Sequence, residues 1–115
     1  MSLLKIIINA ISDVKGQDIE VLNMKGKSPL FDYMVLCSAT NERQLSAIVD
    51  NLVKEVQKNE FVVKHVEGKK MNQWVLVDCI DAVVHVFTPE ERAKYNLEKL
   101  WGDCERIDIL TLLDE

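Results

Sequence analysis

The chain has 115 residues, 48% hydrophobic and 29% charged, which bounds it to one soluble globular domain, residues 1–115, with room for a real core but not for two. Its 14 Lys and Arg stand against 19 Asp and Glu, a net charge of -5 that disfavours a partner made mainly of exposed phosphate and suits a basic protein surface. Cys37, Cys79 and Cys104 are scattered and form no C-x-x-C pair, and no apolar run approaches the roughly 20 residues of a membrane span, so a disulfide framework, a zinc knuckle and a membrane protein are all disfavoured, leaving a reducing cytoplasm.

Leu3, Leu4, Ile7, Ile8, Ile11 and Val14 recur at helical spacing behind a capping Ser2 and ahead of Gly16, which predicts a first helix. Asp18 to Met24 reads as a strand, followed by turn residues Gly26, Ser28 and Pro29, and Tyr33 to Ser38 as a short apolar strand. The next helix is the clearest. Leu45, Ile48, Val49, Leu52, Val53 and Val56 form one stripe, Thr40 or Asn41 can cap the start, and Asn59 suits a left-handed end. A third strand is expected over Phe61 to Glu67.

Gln73 to Phe87 then reads as a hairpin. With Cys79 and Ile80 as its loop, Val77 falls opposite Ala82, Val75 opposite Val84 and Trp74 opposite His85. Strand alternation makes one face aliphatic, with Val75, Val77, Ala82, Val84 and Val86. The other carries Trp74, Leu76, Asp78, Asp81, Val83, His85 and Phe87, a mixture that is hard to bury completely because the carboxylates need partners.

Thr88-Pro89-Glu90-Glu91 predicts a helix to about Tyr95, combining a capping Thr with Pro at the first helical position. Asn96 can cap a second piece, Leu97 to Trp101, stopped by Gly102. Glu105 to Glu115 is acidic and apolar by turns and fits either a packed end or a tail. The resulting order, α-β-β-α-β-β-β-α, predicts an α/β (α+β) fold, a mixed sheet of about five strands with helices mainly on one face.

Catalytic chemistry finds little support in these residues. Cys37, His85 and Asp78 or Asp81 could supply nucleophile, base and orienting carboxylate, but Cys37 lies inside an apolar strand, where a thiol is usually an inert small hydrophobe. Asp78 and Asp81 could hold Mg²⁺ in a small nucleotidyltransferase-like enzyme, the alternative reading, yet no P-loop or other glycine-rich phosphate cradle accompanies them and Asp commonly flanks turns. His65 and His85 lack regular ligand spacing, so no metal or cofactor is expected. An interface suits the late segment better, because Tyr and Trp are enriched among binding hot spots. Trp74, Leu76 and Asp78 share one side of a strand, and Tyr95, Leu97 and Trp101 follow soon after its partner strand; these six are the expected partner-binding residues.

Several strings together resemble one family. They are Asp32-Tyr33 followed by VLCSAT and Arg43-Gln44, the pair WVLVD and VVHVF, and Tyr95-Asn96-Leu97-Glu98-Lys99-Leu100-Trp101-Gly102-Asp103. In this order, from Ile7 to Ile109, the chain resembles the ribosomal silencing factor S family, also called Iojap-like. Ile80 stands where that family often has Gly, which implies a turn without a positive φ at that position. The resemblance implies a fold similar to nucleotidyltransferases without their catalytic signature. It further implies a non-enzymatic, cytoplasmic factor that binds the large ribosomal subunit through protein uL14 and blocks association with the small subunit, lowering translation when nutrients are scarce. A possible homodimer completes what the resemblance implies; the acidic balance adds little direct nucleic-acid contact, with Lys69 and Lys70 read as scattered surface lysines.

Overall fold

Capping and apolar spacing set the first layer. In the computed structural model, which describes residues 2–68, 73–95, 99 and 102–113 and of Tyr95 only the backbone, α1 spans Leu3–Asp13 and its Ser2 Oγ accepts from the amide of Lys5 at 3.1 Å. Helix α2, Glu42–Lys58, starts on Asn41, whose Oδ1 accepts from Gln44 N at 2.8 Å, so Asn41 rather than Thr40 is the cap. Gln44 in turn accepts from Thr40 N and donates Nε2 to the carbonyl of Lys15, tying the start of α2 to the end of α1. The left-handed residue after α2 is Glu60, at φ 68, whereas Asn59 stays at φ -91; the expectation for Asn59 was off by one residue.

Among the described residues six strands form one sheet, one more than expected, in the order β3-β4-β5-β2-β1-β6. They are β1 Gln17–Asn23, β2 Tyr33–Ser38, β3 His65–Glu67, β4 Trp74–Asp78, β5 Ala82–Phe87 and β6 Glu105–Ile107. The central pair, β2 and β5, is parallel, and its other neighbours pair antiparallel. The extra strand, β6, pairs with β1 through Val21–Ile107, and Asn9 Nδ2 on α1 donates to Leu112 O at 2.9 Å, so the segment from Glu105 to Leu113 is a packed end. β3 is shorter than the expected Phe61 to Glu67.

Helices α1 and α2 lie on one face. Their Ile7, Ile8, Ile11, Leu45, Ile48 and Leu52 bury against Val35, Cys37, Val75, Val77, Val84 and Val86, the aliphatic face read from the hairpin pattern. The opposite face carries a smaller cluster, Leu22, Met24, Met34, Leu36, Phe87 and Cys104, with Phe31 and Trp74 packed beside it. The short α3, Pro89–Tyr95, follows β5 and reaches the end of this second face through Arg92. The expected helical piece over 97–101 lies, apart from Lys99, outside the described residues.

The hairpin register differs from the expectation by two residues. Trp74 pairs with Phe87, Leu76 with His85 and Val77 with Val84, and Cys79 N donates to Ala82 O at 2.9 Å, which leaves Ile80 and Asp81 as the loop. The strand side chains keep their faces, since a two-residue shift preserves alternation, except that Asp81, expected on the mixed face, falls in the loop and lines a cavity on the helix side. Ile80 sits at φ 72, so this turn does use a positive φ, against the expectation, and places a β-branched residue where glycine is favoured.

Candidate functional site

Alternation along β4 puts Trp74, Leu76 and Asp78 on the face opposite α1 and α2, each half-buried. Beside them on β5 stand Val83, His85 and Phe87, all buried. Trp74 stacks on Phe87 with ring centroids 5.0 Å apart, and His85 stacks on Phe87 at 5.9 Å with planes 11° apart. Trp74 Nε1 donates to His85 Nδ1 at 3.0 Å. That nitrogen must be unprotonated to accept, and burial pushes the imidazole down to about 4, so His85 is neutral with its proton on Nε2.

The other end of β4 is built around Asp78. Its Oδ1 accepts from Ile80 N at 2.8 Å, an Asx-type bond that supports the strained turn, and its Oδ2 lies 3.8 Å from His65 Nδ1. His65 Nε2 sits 3.0 Å from Glu67 Oε1. Between this polar row and the loop before β2 opens a cavity of about 450 Å³, its apolar wall formed by Leu30, Met34, Leu76, Ile80 and Val83. Leu30 is 80% and Ile80 47% exposed, two apolar groups standing at the rim in water. A half-open apolar cleft with a carboxylate edge can hold a side chain of a partner, with a cation beside it.

Sequence reading brings Trp74, Leu76 and Asp78 together correctly on one face. Leu97 and Trp101 lie outside the described residues, as does the side chain of Tyr95. The rim residues Leu30 and Ile80 were missed, although a Leu-Phe pair directly after the turn residues Gly26, Ser28 and Pro29 is a signal, because loop residues are usually polar. The two alternative chemistries have no common site. Cys37 pairs with Val86 and faces the helices, fully buried with its thiol pushed up to about 12, while His85 faces the other way. Asp78 lines the cleft, but Asp81 lines a separate cavity with Leu3, Tyr33 and Phe61 on the helix side, so the two carboxylates do not converge as a metal pair would require. Among the described residues no group of three or more His, Cys, Asp or Glu could hold a metal ion, and no helix is long and apolar enough to cross a membrane. Of the basic residues, Lys27 pairs with Asp103 at 2.8 Å and Lys25 lies over the Tyr33 ring; Lys69 and Lys70 are outside the described residues.

The sequence model of the family described as "Ribosomal silencing factor during starvation" matches residues 1–115. The chain belongs to that family. A relative named "Ribosomal silencing factor RsfS" from Halalkalibacterium halodurans is 43% identical over 107 residues, covering 93% of this chain and 92% of the relative. The mouse protein "Mitochondrial assembly of ribosomal large subunit protein 1" is 34% identical over 99 residues, covering 83% of this chain and 43% of its own length. A crystal structure of a Bacillus halodurans protein superposes with TM-score 0.82 at 42% identity, covering 92% of this chain and 96% of that one. The bacterial relatives carry a regulatory name rather than that of an enzyme.

Proposed function

We propose that this protein is a ribosomal silencing factor that docks on the large ribosomal subunit through uL14, using the face of β4 and β5, and so blocks joining of the small subunit and represses translation under nutrient limitation. The family match along the whole chain carries the reading. The mouse relative's name, which concerns the large ribosomal subunit, supports that subunit as the target. The physical features agree. An acidic chain steers toward a basic ribosomal protein, while Trp74, Leu76 and the cleft rim supply apolar anchors, and Asp78 offers a carboxylate to a cation. The excess of acid leaves little role for phosphate contact. Occupying a surface that the small subunit needs requires no catalysis, and the place of action is the cytoplasm.

The test is sedimentation of isolated subunits with added protein, paired with capture on purified uL14. Co-migration with large subunits, none with small ones, and retention on uL14 are expected. Binding to large subunits without retention on uL14 would move the docking site to another ribosomal component.

A further inference from the structure

Helix α3, described over Pro89–Tyr95, takes its direction from what it packs against, since helices in proteins are held mainly by tertiary contacts. A tie to the sheet runs through Arg92, whose side chain is only 12% exposed. Its Nη1 donates to the carbonyl of Asp18 at 2.6 Å and to Ser38 Oγ at 2.9 Å, and its Nη2 lies 3.7 Å from Glu20 Oε2. That carboxylate oxygen is buried and makes no hydrogen bond among the described residues, while the other oxygen of Glu20 lies 3.7 Å from Arg106 Nη1 on β6. Asp18 falls in the register shift of β1 with φ 49, an irregularity that frees its carbonyl from the ladder. One guanidinium thus joins α3 to β1 and β2 directly and, through Glu20, faces the charge of β6. An apolar contact would anchor the helix without burying charge, whereas a fork of fixed donors specifies an angle.

We propose that Arg92 is a positioning residue for docking: it sets the direction of α3 against the sheet and with it the place of Tyr95, on the next turn, relative to the face of β4 and β5. The proposal rests on the docking reading above, extended to Tyr95 as one of the partner-binding residues expected from the sequence. Lysine cannot replace this arrangement fully, because its ammonium is a point charge on a flexible stem and lacks the rigid plane that lets Nη1 meet Asp18 and Ser38 while Nη2 faces Glu20.

Arg92→Met keeps the apolar stem and removes the fork, and Arg92→Met combined with Glu20→Gln also removes the carboxylate charge that Arg92 would no longer face. Two readouts are made on both: amide hydrogen exchange along α3 and α2, and affinity for isolated large subunits alone and together with Tyr95→Ala or Leu76→Ala. Exchange over Arg92 to Tyr95 should accelerate at least roughly tenfold with α2 unchanged. Affinity should fall roughly tenfold, the loss multiplying with that of Leu76→Ala but adding less than about twofold to that of Tyr95→Ala, the signature of coupled positions. Arg92→Lys should recover part of the affinity. Unaltered exchange in α3, or losses that multiply equally with Tyr95→Ala, would overturn the proposal while leaving the docking reading in place. Failure of the unaltered protein to bind large subunits would remove the docking reading and this proposal together.

Discussion

The indole N–H of Trp74 donates to Nδ1 of His85 at 3.0 Å, so β4 and β5 share a bond that only a neutral imidazole can accept. Burial pushes His85 from 6.5 down to about 4. Because the unfolded chain takes up this proton at higher pH than the folded one, His85 favours folding fully above about pH 6.5, and that contribution is lost as pH falls toward about 4. The expected loss is about 3 kcal/mol across that window. Denaturant unfolding of the parent and of His85→Gln at a series of pH values checks it: the parent should lose stability more steeply, and equal slopes would show that the imidazole is not held neutral.

Gly68 lies at φ 85 just before the hairpin, and an added Cβ would fall 2.4 Å from the carbonyl oxygen of Trp74, a backbone atom that cannot step aside. Gly26, at φ 81, has open space around the same position. Gly68→Ala should therefore cost at least about 2 kcal/mol, and Gly26→Ala about 1 kcal/mol from the backbone conformation alone. Chemical denaturation of the two variants side by side gives the difference.

Ile80 combines a left-handed backbone with 47% exposure at the cleft rim. Ile80→Gly relieves the strain and should raise stability by about 0.5–1 kcal/mol, while removing an apolar rim group and weakening binding to large subunits. A variant that is more stable yet binds as well as the parent would show that the rim takes no part in docking.

The two faces of the hairpin are legible in the sequence because side-chain alternation survives a register error of two residues; the register itself is not. Its loop is set by Ile80 at φ 72, held by the Asp78 carboxylate, and propensity gives no reason to place a β-branched residue there. β6 escapes a pattern reading for another reason. Its three residues are exposed or half-buried, and they become a strand only through the ladder to Val21, Leu22 and Asn23. Phe61 to Lys64 shows the converse, a strand-like run of which only the following His65–Glu67 pairs in the ladder. At the site, Trp74, Leu76 and Asp78 follow from alternation, whereas Leu30 and the Arg92 clamp depend on chain segments distant in sequence.

For the docking face, Trp74→Ala should cost about 2 kcal/mol or more in binding to large subunits. Truncating this stacked indole also costs roughly 3 kcal/mol of folding free energy, so thermal midpoints must accompany the binding data. Asp78→Asn keeps an acceptor for Ile80 N and removes only the charge, and Asp78→Lys reverses it. Binding should weaken in the order Asp78→Asn then Asp78→Lys among variants that stay folded. Equal affinity across this series would place the interface on another surface.

The most direct measurement is joining of purified ribosomal subunits, followed by light scattering, after the large subunits have been saturated with this protein. The account predicts that the yield of joined ribosomes falls in proportion to occupancy and recovers with Trp74→Ala at the same protein concentration. Unchanged joining at full occupancy of the large subunit would contradict it.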